Sequence, residues 1–182
     1  MEHAVIKVLV ATASRHGSTK EIGEQLGADI SAGLRERGVD AEVETLDAGQ
    51  VADLADVDAL VLGSAVYMGR WLKAARRLVD REAERLESIP VWLFSSGPVD
   101  DSSKRDGGKV APGGKIASAA WAQDHHTFGG KLDRADLSWS ERLVASAVHA
   151  ADGDNRSPSD ISAWADKICG SLSDTHLAPY DR

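Results

Sequence analysis

The sequence predicts an α/β fold in which a doubly wound parallel sheet is covered by helices on both faces. Short apolar runs alternate with longer helical patterns along the chain, and this alternation is typical of such sheets. Three of the runs are almost continuously apolar, as expected for strands buried on both sides. The chain has 182 residues, of which 42% are hydrophobic, and this is enough for one domain with a buried core. We therefore expect a single domain over residues 1–182.

Five strands are expected in the sheet. The first, third and fourth runs are the continuous ones, whereas the second alternates apolar and charged residues, as an edge strand does. The fifth run is the weakest. In chain order the predicted strands cover residues 5–11, 41–46, 59–64, 91–95 and 126–132.

The first two helices are expected between these strands. Residues 19–37 place an apolar side chain at every fourth position, and Gly38 follows as the terminating residue. Residues 71–86 place leucine, alanine and valine on one stripe, and Pro90 stops the chain before the next strand.

Two further helices are expected, over residues 138–149 and 158–172. Ser157 is placed to cap the last helix, and Pro158 suits its first position. Cys169 falls on the apolar stripe of this helix, which predicts a core thiol.

Two segments fall outside this alternation. Residues 97–125, between the fourth and fifth strands, are rich in Gly, Ser, Asp and Lys. Connections longer than about 15 residues are usually functional loops or disordered segments, so we expect a long insertion after strand four. Residues 174–182 are expected to form a disordered tail.

The composition argues against several classes of protein. Asp and Glu outnumber Lys and Arg by 29 to 21, for a net charge of −8, which opposes binding to nucleic acid and to anionic membranes. A single cysteine excludes an intramolecular disulfide and a Cys-rich metal centre, and no metal site is predicted. No apolar run reaches the roughly 18 residues of a membrane span, and no basic segment precedes the first strand. We expect a cytoplasmic protein; the sequence leaves its oligomeric state open.

A hydroxyl-rich loop follows the first strand and leads directly into the first helix. Gly17 permits a tight bend, and the helix N-terminus contributes N–H groups and the positive end of the dipole. Ligands bind doubly wound sheets at the carboxyl ends of the strands. The loop therefore predicts a phosphate site, the alternative being a polar turn that only caps the helix. Its hydroxyls belong to Thr12, Ser14, Ser18 and Thr19.

Other loops known at this position of such a sheet fit less well. A P-loop requires a lysine before Ser18, and a Rossmann loop requires three glycines. A response-regulator receiver requires acidic residues at the end of the first strand, and none occurs there. Within the loop, Arg15 and His16 face either the phosphate or solvent.

The loops after the third and fourth strands complete the candidate site. Tyr67 and the backbone of residues 66–69 can present a ring face and amides to a flat heterocycle. The small residues 95–97 allow the chain to pass close to the same heterocycle. Trp71 either joins the ligand or packs against the next helix.

The pattern T-x-S-x-x-G-x-T, which begins at Thr12, is similar to the phosphate loop of flavodoxins. The stretches VDALVLGSAVYMGRWLKAARRLV, FGGKLDRADLSWSERL and GDNRSPSDISAWADKI, with the long insertion, resemble the menaquinone-dependent protoporphyrinogen oxidases, a flavodoxin-domain family of haem biosynthesis. The resemblance covers residues 5–172. It implies a flavodoxin-like fold of five strands in the order 2-1-3-4-5, with FMN as cofactor.

The resemblance also implies how FMN would be held. The isoalloxazine would supply the redox chemistry, and no side chain is predicted as a general acid or base. The phosphate would be held by Ser14, Arg15, His16, Gly17, Ser18 and Thr19. The isoalloxazine would be flanked on one side by Ala65, Val66, Tyr67, Met68 and Gly69, and on the other by Ser96, Gly97, Pro98 and Val99.

The function expected from these features is that of an FMN-dependent oxidoreductase. It would pass electrons to or from a small organic acceptor such as a porphyrinogen or a quinone. The alternatives are a non-enzymic flavodoxin that carries electrons between protein partners, which the acidic charge suits, and a cofactor-free protein that keeps the fold. The long insertion favours an enzyme, because a carrier has little need of a substrate lid.

Overall fold

A computed structural model describes residues 5–67, 69–97, 120–129, 131–132, 153–154 and 157–177. The central sheet has the strand order β2-β1-β3-β5-β6, with these five strands parallel and the short β4 paired antiparallel to β3. With β4 set aside, this is the predicted order 2-1-3-4-5, so the fold class is confirmed. The strands are β1 (Ile6–Ala13), β2 (Ala41–Asp47), β3 (Ala59–Tyr67), β4 (Arg70–Trp71), β5 (Val91–Gly97) and β6 (Asp124–Gly129).

The described residues also form four helices and a second sheet of two strands. The helices are α1 (Ser18–Glu36), α2 (Lys73–Arg81), α3 (Ala83–Leu86) and α4 (Pro158–Leu177). The small antiparallel sheet pairs β7 (Lys131–Leu132) with β8 (Gly153–Asp154). The predicted helix over 138–149 and most of the predicted insertion lie outside the described residues. No helix within the described ranges is both long and apolar enough to cross a bilayer.

The central sheet separates two apolar cores, because successive side chains of a strand point to opposite faces. On the α1/α4 face, side chains of α1 and α4 pack against Val8, Val10, Val61 and Phe94. On the α2/α3 face, side chains of α2 and α3 pack against Leu9, Leu60, Leu62 and Leu93.

Three aromatic rings pack against one another in the core of the α1/α4 face. Phe94, Phe128 and Trp164 meet edge to face, with ring centroids 5.6–6.2 Å apart. Trp164 also donates its indole N–H to Asp124 Oδ2 at 2.8 Å, which ties α4 to the start of β6. A Cβ on Gly63 would lie 2.0 Å from Phe94 Cζ, so only glycine leaves room for this ring on β3.

Cys169 is fully buried on the α1/α4 face, as predicted. Its thiol lies 3.6 Å from the carbonyl oxygen of Ile30 in α1. Burial is the main cause that raises the pKa of Cys169 from an ordinary value of 9.0 to about 11, and the nearby Arg37 guanidinium only partly opposes it. A thiol that remains protonated at neutral pH is a poor nucleophile, so Cys169 is a packing residue.

Two arginines hold the connection between β2 and β3, which crosses over β1. Arg81 donates to the carbonyl oxygen of Val51 at 2.7 Å. Arg85 donates to the carbonyl oxygens of Leu54 at 3.1 Å and Val57 at 2.7 Å. The path of this loop is therefore fixed by side chains of α2 and α3.

Several predicted boundaries were wrong. Residues 71–86 were predicted as one helix, but Trp71 lies in β4 and the helical residues divide into α2 and α3 at Glu82. Trp71 lies outside the helix because of a tight turn at Gly69, whose φ of 72° lets Arg70 pair back on Tyr67. The fifth strand begins at Asp124 instead of residue 126 and ends at Gly129, because residues 131–132 pair with β8 instead.

The last helix also ends later than predicted. Ser157 accepts the N–H of Asp160 at 3.3 Å, which confirms it as the N-cap. The helix continues to Leu177, so the first residues of the predicted tail are helical. The remainder of that tail lies outside the described residues.

Candidate functional site

Three strands end side by side at the carboxyl edge of the sheet. In register, Ala13 of β1 lies beside Ser64 of β3, and Ser64 and Ala65 lie beside Ser95 and Ser96 of β5. The strand order reverses between β1 and β3, because the chain moves outward to β2 on one side and to β5 and β6 on the other. Ligands of doubly wound sheets bind at this reversal.

Gly17 lies where the loop after β1 joins α1. Its φ of 88° places it in the left-handed region at the N-cap of α1. Ser14 Oγ accepts the Gly17 N–H at 3.0 Å, which closes the loop on itself. No side chain of the N-cap residue Gly17 caps the helix, and the N–H groups and positive dipole end of the first turn of α1 point toward this loop.

The four hydroxyls of the loop divide into two pairs. Ser14 and Ser18 are half-buried at the loop surface. Thr12 and Thr19 are only 2% and 1% exposed, and Thr12 packs against α1 so closely that a Cβ on Gly23 would lie 2.4 Å from its methyl group. Thr19 therefore remains a candidate through its backbone N–H rather than its hydroxyl.

A hairpin formed by β3 and β4 stands beside this loop. Tyr67 pairs with Arg70 across it, and the predicted site residue Met68 lies outside the described residues. Ser64 fixes the base of the hairpin, because its hydroxyl accepts the Leu72 N–H at 2.9 Å and donates to the Ala65 carbonyl at 2.8 Å. Ser64 was not predicted to have this role, because a serine inside an apolar strand carries no local signal of it.

A cation–π contact joins the loop to the hairpin. The guanidinium carbon of Arg15 lies 4.8 Å from the centroid of the Tyr67 ring, within the range of such interactions. Arg15 and the neighbouring His16 are exposed, whereas Tyr67 is half-buried. The structure thus brings the predicted phosphate-binding residues next to the predicted ring-binding residues.

A hydrogen-bonded chain, buried at Trp71 and Ser95 and half-buried at His125, lies beneath the hairpin. The indole N–H of Trp71 donates to Ser95 Oγ at 2.8 Å, and Ser95 Oγ lies 2.9 Å from His125 Nε2. Trp71 is 1% exposed and meets the His125 ring edge-on, with centroids 6.1 Å apart. Of the two interpretations of Trp71, the structure supports packing. The roles of Ser95 and His125 were missed, because only the tertiary fold brings these residues together.

The end of β5 forms the opposite side of the candidate site. Ser96 is buried and Gly97 is half-buried. A Cβ on Gly97 would lie 3.5 Å from Cβ of Val66, so the ends of β3 and β5 are in near contact. Pro98 and Val99, the other two residues predicted on this side, lie outside the described residues.

The groups gathered at this edge suit an anion joined to a planar ring. Backbone N–H groups, two serine hydroxyls and a guanidinium are donors for a phosphate. Tyr67 and the closely spaced ends of β3 and β5 offer flat surfaces and backbone amides to a heterocycle. Within the described ranges, no cluster of three or more His, Cys, Asp or Glu side chains is arranged to hold a metal ion. The residues of the loop after β1, of the hairpin and of the end of β5 therefore fit both parts of FMN, its phosphate and its isoalloxazine ring.

Comparison with known families gives a match over most of the chain. The sequence model of the family described as "Flavodoxin domain" matches residues 9–159. The curated protein protoporphyrinogen IX dehydrogenase [quinone] of Escherichia coli strain K12 is 28% identical over 90 residues, which are 50% of this chain and 48% of the relative. The protein of the same name from Escherichia coli O157:H7 matches equally well. The chain thus spans about half the length of the curated relatives it matches.

Solved structures with the same architecture are more distant in sequence. An oxidoreductase from Corynebacterium diphtheriae matches with a TM-score of 0.60 at 14% identity, covering 97% of this chain and 98% of the other. Rubredoxin oxygen:oxidoreductase from Desulfovibrio gigas has a TM-score of 0.57 at 12% identity, covering 97% of this chain and 38% of the other. A cysteine-to-serine mutant of flavodoxin from Pseudomonas aeruginosa has a TM-score of 0.53 at 15% identity, covering 92% of this chain and 99% of the other. These likenesses concern the fold alone.

Proposed function

The chain belongs to the flavodoxin domain family, and on that premise we propose that it is an FMN-binding oxidoreductase acting on a small organic electron acceptor or donor. One observation carries the proposal. The loop after β1 and the hairpin after β3 meet at the reversal of strand order, where Arg15 contacts Tyr67. A ligand with a phosphate at one end and a flat ring at the other matches this arrangement.

The loop would bind the phosphate by hydrogen bonds and charge. The hydroxyl groups of Ser14 and Ser18 would donate hydrogen bonds to the phosphate, and so would backbone N–H groups in the first turn of α1. Arg15 would add a charge-assisted bond, which is stronger than a bond between neutral groups. Because Gly17 has no side chain, the backbone at this position can approach the phosphate closely.

The hairpin and the end of β5 would hold the ring. Tyr67 would contact its face, while Ala65 and Val66 on one side and Ser96 and Gly97 on the other would orient it and exclude water. Bound FMN would supply the electron transfer itself. We assign no side chain as a general acid or base, and any proton would be exchanged with solvent or with the substrate.

The acceptor class is proposed from the relatives. The Escherichia coli protein that matches half of this chain is named a protoporphyrinogen IX dehydrogenase [quinone], which supports a quinone as electron acceptor and a porphyrinogen as electron donor. The acidic net charge of −8 favours a second candidate, an electron carrier steered to a basic protein partner. Steady-state reduction of a soluble quinone by the purified chain with bound FMN and a porphyrinogen as electron donor, without a protein partner, would exclude the pure carrier.

Titration of the apoprotein with FMN tests the proposal. We expect saturable quenching of flavin fluorescence and a bound-flavin absorbance spectrum, with weaker binding in the Ser14→Ala and Ser18→Ala variants. Ser31→Ala, an exposed serine further along α1, is the matched control and should bind like the wild type. A chain that stays colourless and leaves FMN fluorescence unchanged would refute the function.

A further inference from the structure

The start of α2 carries a positive charge, opposite in sign to the net charge of the chain. The segment RWLKAARR, from Arg70 to Arg77, contains four cations and no acidic residue, whereas the whole chain has a net charge of −8. Arg70, Lys73 and Arg77 are exposed, and Arg76 is half-buried. These four residues are called the basic patch below.

The charges of the basic patch are unfavourable for the helix that carries most of them. Lys73 begins α2, whose first turn contains no acidic residue, although the positive end of the helix dipole disfavours cations there. Arg77 lies one turn from Lys73, a spacing at which like charges repel. Within the described ranges, no side chain of the basic patch forms an ion pair, and Nε of Arg76 is buried without a hydrogen-bond acceptor. Residues that break local rules in this way are expected where they serve binding.

The basic patch begins beside the candidate site. Arg70 pairs with Tyr67 across the hairpin, and Lys73 follows at the start of α2, so the Cα atoms of Arg70 and Lys73 are at most about 11 Å apart. From there the basic patch continues along the exposed side of α2 to Arg77. Asp80, one turn further, is the first acidic residue of this helix. A molecule that docks on the basic patch would therefore lie next to the ligand proposed for the site.

The rest of the surface argues against a lipid membrane as the binding partner. The apolar residues Ala75, Leu78 and Val79 of α2 are buried inside the protein. Val5 is the only exposed large hydrophobic residue within the described part of the chain. A helix that lies on a membrane needs apolar side chains to insert, and α2 presents charged ones instead.

We propose that the basic patch is a docking surface for an acidic protein partner. A small anion gains little from exposed single charges, whereas an acidic protein surface meets several of them at once and is steered toward them. This partner is opposite in charge to the one that the net charge alone favours. Docking requires no bound flavin, but the use of this surface in electron transfer rests on the proposed function.

Two redox proteins of opposite charge test the proposal. The probes are oxidised plant-type ferredoxin, which is acidic, and cytochrome c, which is basic. Their affinities for the full chain, with and without FMN, are measured by surface plasmon resonance. An ionic strength of about 0.1 M screens charges beyond about 10 Å, so local charges outweigh the net charge. We expect the wild type to bind ferredoxin saturably under this condition and to lose it at about 1 M, where the screening length is about 3 Å.

Charge reversal identifies the residues responsible. In the double variant Lys73→Glu with Arg77→Glu, ferredoxin should bind about tenfold or more weakly, and cytochrome c should bind more tightly. The variant should remain folded in urea denaturation, because an acidic residue in the first turn of α2 favours the helix. The matched control, Arg35→Glu with Lys167→Glu, makes the same change in net charge at exposed positions of α1 and α4 and should bind ferredoxin like the wild type.

The outcomes separate the docking surface from the proposed function. A wild type that does not bind ferredoxin, or an equal loss of ferredoxin affinity in both double variants, overturns the docking surface. Sedimentation with phosphatidylglycerol vesicles that depends on Lys73 and Arg77, without ferredoxin binding, assigns the basic patch to a lipid surface and also overturns the proposal. A chain that binds ferredoxin through these residues but does not bind FMN overturns the proposed function and leaves the docking surface standing.

Discussion

The two faces of the central sheet are built from the same strands but differ in chemistry. The α1/α4 face is closed by the interlocking rings of Phe94, Phe128 and Trp164. The α2/α3 face is mostly aliphatic, and beneath the hairpin it contains the hydrogen-bonded chain of Trp71, Ser95 and His125. The first face stabilises the fold through packing, while the second positions the hairpin of the candidate site. Substitutions on the α1/α4 face should therefore lower the stability of the fold without changing ligand affinity, whereas substitutions beneath the hairpin should also weaken ligand binding.

The largest effect is expected on the α1/α4 face. Trp164→Ala removes a side chain that is 2% exposed and leaves a cavity among the rings, which should lower the free energy of unfolding by about 3–5 kcal/mol. Urea denaturation measures the loss, and Trp164→Phe should lose less because a ring remains. FMN affinity of the folded protein should be unchanged. A strong loss of FMN affinity would show that the two faces are not independent.

The pH dependence of stability offers a second test of the same face. The native pKa of Cys169 is raised to about 11, so the folded state holds a thiol proton that the unfolded state releases near pH 9. Stability should therefore be complete below pH 9 and fall as the pH rises toward 11. At about 1.4 kcal/mol per pKa unit, the loss is about 2–3 kcal/mol. Denaturation of the wild type and of Cys169→Ala over this pH range should show the fall only in the wild type; equal profiles would contradict it.

The next effect belongs to the α2/α3 face. Trp71→Phe removes the donor to Ser95 within a buried chain, which should cost about 1–3 kcal/mol of stability. It should also weaken FMN binding, because the hairpin that carries Tyr67 loses a contact to β5. Trp92→Phe, a buried tryptophan on the α1/α4 face, is the matched control. If both variants bind FMN like the wild type, the chain beneath the hairpin does not position the site.

The smallest effect compares two glycines at the two ends of α1. Gly17 and Gly38 have φ values of 88° and 71°, and an added Cβ would meet nothing within 4 Å at either position. Alanine should therefore cost a similar 1–2 kcal/mol, about the strain of a left-handed residue, at both. Only Gly17→Ala should weaken FMN binding in a fluorescence titration. Equal affinities in the two variants would argue against a phosphate at the N-terminus of α1.

The sheet was predictable from sequence because its signals are local. Continuous apolar runs mark β1, β3 and β5, and the structure lengthens each at its carboxyl end, to Ala13, Tyr67 and Gly97. The short β4 was not predictable in the same way. Trp71 and Leu72 continue the apolar stripe of the helix that follows, and only the positive φ of Gly69 shows that the chain turns back first.

The candidate site was predictable in its loops but not in its contacts. Hydroxyls and Gly17 after a buried strand indicated the phosphate loop, since those residues are adjacent in sequence. Arg15 and Tyr67, or Ser95 and His125, are brought together by tertiary structure, and no periodicity relates them. The burial of Thr12 and Thr19 was also hidden, because a threonine in a loop gives the same sequence signal whether its hydroxyl faces solvent or the core.

The arginine contacts to the loop between β2 and β3 also bear on how freely that loop can vary. Arg81 and Arg85 bind backbone carbonyl oxygens, and every amino acid provides the same carbonyl. These hydrogen bonds therefore depend on the backbone path of the loop and not on which amino acids supply the carbonyl oxygens. A foreign segment of equal length and similar buried side chains could be grafted there and still be held in place by its neighbours.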